Sequence, residues 1–195
     1  MTTPSDILTT QKNGVIGINN LSQELKSFFT SYRFFSGQYR SQTVSSRTQV
    51  ASGSGRLVSI NVVTAGSTAG GVYDTVLLNV TGASGDGTKA TVTYSPTFST
   101  SVGETIFVTG ISPSGYNETA GDTITDVVST SSLKYANITT TTYVSGGVIF
   151  VSRASEQVCA VANTIGNYII GAPFSTGLVI NPGTSQVLNV VYSLD

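Results

Sequence analysis

Apolar and polar positions follow two different rhythms along this chain. From Ile18 the apolar residues Ile18, Leu21, Leu25, Phe28 and Tyr32 are separated by 3, 4, 3 and 4 residues. That spacing puts a stripe on one face of a helix. Thr3 is placed to cap such a helix, Pro4 fits its first position, and Asp6 falls in the first turn, where the dipole favours an acid. Gly14 and Gly17 are expected to weaken or break it ahead of the stripe. Phe29, Phe34 and Phe35 make the segment aromatic on more than one side, so it needs a cover. Its own β domain can supply one, as can a sister subunit or another protein. The second is favoured, because the following "SGQYRSQTVSSRTQVASGSG" reads as an extended arm leading away from a core.

After Gly55 the period changes to two. "RLVSINVVTAG", "GVYDTVLLNV", "TKATVTYSPTF", "ETIFVTGI", "DTITDVVS" and "SLKYANITT" read as strands, separated by Gly, Pro, Asn and Ser. "GGVIFVSRA", "EQVCAVAN", "GNYIIGAPFSTGLVINPGT" and "SQVLNVVYSLD" continue the theme. Strands at this spacing predict an all-β sandwich or barrel. Small-residue stretches at 81–89 and 145–147 bracket a Thr-rich block of short strands. The expected organisation is a short N-terminal α-helical arm (1–54), a β-sandwich (55–80 plus 148–195) and an inserted small β module (81–147), since exposed loop tips tolerate insertions.

Composition narrows the function. Charged residues are 10% of the 195-residue chain, far below the usual quarter, and Ser, Thr, Asn and Gly take their place. Such a surface suits an assembly part or a protein that endures outside a cell. Residues 1–56 hold six basic and two acidic residues, the remainder three and eight. The bases are dispersed, so nucleic-acid binding is not expected. An arm docking on an acidic partner and a merely solvated imbalance both fit. The start "MTTPSDILTT" lacks the features of a signal peptide, and no apolar run reaches membrane-spanning length.

Chemistry is sparse. The chain has no His and one Cys, so the usual Ser-His-Asp and Cys-His nucleophiles, disulfides and zinc sites are not expected. Cys159 reads as a small core residue. Asp74, Asp86, Glu104, Glu118, Asp122 and Asp126 can in principle supply an acid/base pair, yet no motif fixes a partner for any of them. "GDGTK" at 85–89 lacks Walker spacing and an EF-hand acid ladder, and reads as a turn. No cofactor or metal is expected. Tyr73, Tyr116, Tyr135 and Tyr143 can either pack in strands or stack on sugar. Of these, Tyr116 and Tyr135 are the candidate glycan contacts.

The stretch "VTGISPSGYNETAGDTITDVVSTSSLKYANITTTTYVSGG" resembles a small β module of tailed-bacteriophage virion proteins. Val108, Gly110, Ile111, Pro113, Gly115, Tyr116, Asn117, Val127, Val128 and Tyr135 fall in matching places. Glu118, where Gly is usual, and "AGD" depart from it. "GRLVSINVVTAGSTAGGVYDT" and "NTIGNYIIGAPFSTGLVINPGTSQVLNVVYS" resemble β-sandwich halves of phage virion proteins, and "DILTTQKNGVIGINNLSQEL" resembles the opening of phage structural proteins. The resemblance implies a non-enzymatic virion component, an oligomeric decoration or fibre protein of the head or neck. With the helical stripe, the expectation is an arm whose anchors Leu21, Leu25, Phe28, Phe29 and Tyr32 dock the chain to a capsid, portal or tail scaffold or hold copies of it together, a trimer ahead of a dimer. The alternative is a tail-fibre or receptor-binding module that recognises cell-surface glycans. A polysaccharide-degrading enzyme with paired carboxylates is a third class.

Overall fold

A computed structural model of the chain describes residues 3–37 and 39–195, the side chains of Pro4, Ile7, Leu8, Thr10 and residues 28–37 excepted. The protein is all-β with one N-terminal helix. It divides into two units, Met1–Arg40 and Ser41–Asp195.

The first unit is α1 (Pro4–Gly37), 34 residues long, or roughly 50 Å at the helical rise. Its start is fastened as the sequence indicates. Asp6 accepts from the Thr3 backbone N–H at 3.0 Å and from the Thr3 hydroxyl at 2.6 Å, and these bonds hold its carboxyl below the usual value. The helix does not break at Gly14 or Gly17, against expectation. Each glycine costs a helix about 1 kcal/mol relative to Ala, too little to stop one this long.

The second unit contains two bodies built from fourteen strands. Six of these, following β1 (Arg40–Val44), β2 (Thr48–Ser52), β3 (Gly55–Thr64) and β4 (Gly70–Asp74), close into a barrel. They are β5 (Leu78–Gly85), β6 (Lys89–Ser95), β7 (Thr105–Thr109), β8 (Glu118–Ser129), β9 (Ser132–Ala136) and β10 (Val148–Ser152). The barrel runs β10-β5-β6-β9-β8-β7. The chain then returns through β11 (Gln157–Val161), β12 (Gly166–Phe174), β13 (Gly177–Asn181) and β14 (Val187–Leu194). The outer eight strands form two four-stranded sheets, β1-β14-β3-β12 and β11-β4-β13-β2. Between those sheets lies a core of Leu57, Ile60, Val62, Leu178, Ile180, Leu188 and Val190. The barrel has its own, with Val92, Ile106, Val108, Ile124, Leu133, Tyr135 and Ile149 pointing inward, as side chains fill a small barrel.

The strands divide the chain differently from the expected boundaries at 54, 80 and 147. β1 and β2, read as part of an arm, are edge strands of the two sheets. An edge strand needs few apolar residues, and here Val44, Val50 and Ala51 alone reach the core, which is why the stretch looks like linker. Leu78–Val80 and Val148–Ser152, assigned by sequence to the sandwich, belong to barrel strands. The insertion leaves and re-enters at adjacent points, because β4 and β11 pair, with Tyr73 opposite Gln157.

The two bodies share a fastened joint. Phe150 lies on β10 between the inward-facing Ile149 and Val151 and is itself buried. Its ring meets Tyr73 edge-on, centroids 4.9 Å apart. Arg47, between β1 and β2, spans Phe107 at 4.2 Å and Phe150 at 5.0 Å, and donates to Asn181 Oδ1 at 3.1 Å. Burial lowers its guanidinium to about 10, so it remains a cation at neutral pH. Gln49 Oε1 accepts from Leu77 N at 2.9 Å, holding the outgoing linker. Arg153 holds the return linker, pairing with Glu104 at 2.7 Å and Glu156 at 2.8 Å and stacking over Phe98 at 4.6 Å.

Candidate assembly surfaces

On α1, the described members of the stripe, and Val15 three residues ahead of it, point to solvent. Val15, Ile18, Leu21 and Leu25 are between 47% and 69% exposed. Leaving apolar side chains in water forfeits burial worth about 1.5–3 kcal/mol for each. The side chains of Phe28, Phe29 and Tyr32, the other expected anchors, lie outside the described residues.

The "GISPSGYNETAG" segment closes one end of the barrel. Ser114–Tyr116 forms a single 3-10 turn. Tyr116 is fully buried and its hydroxyl donates to the Thr141 carbonyl. Asn117 makes a two-way bridge to Ile111, accepting from its N–H at 2.9 Å and donating to its carbonyl at 3.2 Å. Gly115 passes so close to Thr139 that a Cβ would lie 2.6 Å from its hydroxyl oxygen. Glu118 accepts from Asn137 Nδ2 at 2.9 Å, and the same amide donates to Gly115 O at 3.0 Å. Glu118 therefore ties the turn down.

This geometry corrects the glycan contact expected of Tyr116 and Tyr135. Both rings lie in the barrel core with no exposed face. The Tyr135 hydroxyl donates to the Tyr116 carbonyl, and burial raises its pKa beyond the ordinary phenol range. A sugar cannot stack on a ring whose two faces are already covered.

The six candidate acids all have local structural partners. Asp74 accepts from Ser175 N at 2.8 Å, Thr176 N at 2.7 Å and Gly177 N at 3.2 Å, pinning the turn after β12. Burial pushes its pKa up, but these bonds outweigh it and leave it lowered. Asp86 is held at about 2, first by the Lys89 N–H and then by Thr88. Glu104 feels burial, overcome by Arg153, and is lowered. Asp126 is lowered chiefly by Lys89, 2.6 Å away. Asp122 accepts from Thr123 N at 2.7 Å, and Glu118 from Asn137. These carboxylates hold turns, linkers and neighbouring strands.

Among the described residues, no three His, Cys, Asp or Glu side chains gather as metal ligands, and no helix is long and apolar enough to cross a membrane. Cys159 packs half-buried against the sandwich core, and burial raises its thiol pKa.

One surface escaped the sequence reading. Ile169 on β12 and Val63 on β3 are exposed on the outside of the β1-β14-β3-β12 sheet, and Ile165, in the bend before β12, is exposed too. The alternation in "GNYIIGAPF" was the available signal, but it marks the strand without saying which face meets solvent. Searches against protein-family models, curated proteins and solved structures return no match for this chain.

Proposed function

We propose that this chain is a non-enzymatic structural component of a tailed-phage virion. It is an oligomeric decoration or fibre protein, held to the head or neck by α1. The observation that carries the reading is the exposed stripe of Ile18, Leu21 and Leu25, with Val15 ahead of it, on a helix of 34 residues. A stripe at coiled-coil spacing is satisfied by other helices, either from copies of the chain or from a capsid, portal or tail scaffold. A trimer is the preferred self-assembly. The β unit supports the reading in a second way. Its sandwich and barrel each have a filled core, and Arg47, Gln49 and Arg153 lock their junction. That is a rigid, charge-poor body, suited to display on a particle. The resemblance of "GISPSGYNETAG" to virion modules points the same way.

The test is incorporation. Particles assembled with Leu21→Asp plus Leu25→Asp should lack the protein, whereas the wild-type chain co-purifies with them. Undiminished incorporation of the double variant would remove the arm from the account.

A further inference from the structure

We infer that the outer face of the β1-β14-β3-β12 sheet is a second interaction surface, and that its occupant is the same face of another copy of this chain. This goes beyond the helical arm and does not rest on it. Register places the residues. Asn61 on β3 lies opposite Asn167 on β12 and Asn189 on β14. Ser41 on β1 donates to Asn189 Oδ1 at 2.7 Å. A row of three amides and a hydroxyl therefore crosses all four strands.

Beside it, Ser59 lies opposite Ile169 and Val191. Val63 follows Asn61 by two residues on the same face of β3, and Ile165 stands in the bend that leads into β12. Ile169 is 85% exposed and Ile165 71%. One border of the amide row is thus Ile169, Ser59 and Val191, Val63 stands on the other side, and neither the row nor these borders contain a charge.

The chemistry selects the occupant. A primary amide carries both donors and acceptors, so a row of Asn matches a copy of itself, as rows of Lys or Glu cannot. Isologous contacts need this self-complementarity. The row and its borders carry no charge to steer an acidic or basic partner; the one cation placed on this face by β3, Arg56, stands five residues from Asn61 and donates to the Gly171 carbonyl at 2.8 Å. Interface cores are likewise depleted in charged residues.

Size sets the strength. Four strands spaced about 4.8 Å apart, over roughly 20 Å of length, give about 400 Å². A standard interface contributes about 800 Å² per partner. The contact is therefore weak alone and becomes effective among copies already held near one another.

The test uses the full chain carrying Leu21→Asp and Leu25→Asp, which removes the helical stripe from competition. In sedimentation velocity this protein should show an average mass that rises reversibly with concentration into the hundreds of micromolar. The rise should be the same in low and high salt. Adding Ile169→Asp should abolish it, and Ile165→Asp should do so independently. Both sites are exposed, so near-UV circular dichroism should be unchanged. A flat mass profile before the face is altered would overturn the inference. So would association that survives both aspartates, or association that high salt dissolves. Failure of particle incorporation tests α1 alone, so the two proposals fail separately.

Discussion

The barrel and α1 treat their apolar residues in opposite ways. In the barrel, Tyr116 and Tyr135 are wholly buried and their hydroxyls find carbonyls within the same module. On α1, Ile18, Leu21 and Leu25 face water. A closed barrel has no free edge and needs no partner. A helix with an uncovered stripe is incomplete, because most helical stability in proteins comes from packing an apolar face. The difference teaches where to look for function. The self-contained modules form the body, and the surfaces left unsatisfied form the contacts.

The largest effect that should sharpen this contrast comes from Tyr116→Ala. Removing a fully buried aromatic should cost about 3–5 kcal/mol, read by denaturant unfolding, while oligomer formation through α1 persists in the folded fraction. Next comes Arg153→Ala, which takes the cation from Glu104 and Glu156, whose side chains are about four-fifths buried, and leaves Glu104 with the Ser101 N–H. A loss of about 2–3 kcal/mol is expected, measured the same way. The related pH dependence has a definite sign. Asp74 and Glu104 have folded pKa values below their ordinary 3.8 and 4.5. Their contribution is therefore complete above those ordinary values and drains as pH falls through the folded ones. Asp74→Asn should flatten that acid limb in a melting-temperature series.

Smaller effects probe the joint and the arm. Arg47→Ala removes a cation lying over two neighbouring rings, worth about 1–2 kcal/mol when desolvated. Calorimetry should then show sandwich and barrel melting less cooperatively. Gly14→Ala and Gly17→Ala meet open space at the new Cβ. Each should stabilise α1 by about 1 kcal/mol, seen as greater helical ellipticity on partial thermal unfolding.

Alternation made most of the β architecture legible, and the 3-4 spacing located the helical stripe. What stayed hidden has physical causes. β1 and β2 look like linker because edge strands send only Val44, Val50 and Ala51 inward. Tyr135 looks available for sugar because periodicity does not say which face of a strand closes into a barrel, and Tyr116 because a turn residue carries no period that would announce its burial. The partners of Asp74 lie about 100 residues away, at Ser175 to Gly177, so no local motif could announce them. Arg47 reads as one more dispersed base, although the fold lays it over two neighbouring aromatic rings. The outer-face residues of β12 were visible as apolar, but only register shows the Asn row beside them.

The central claim is that α1 joins copies of this chain to one another. Sedimentation of the full chain at low micromolar concentration, with and without Leu21→Asp plus Leu25→Asp, tests it most directly. The account predicts a homo-oligomer, with three copies expected, that becomes a monomer with unchanged near-UV circular dichroism in the double variant. A wild-type chain that is already monomeric, or a double variant that keeps the wild-type mass, would contradict it.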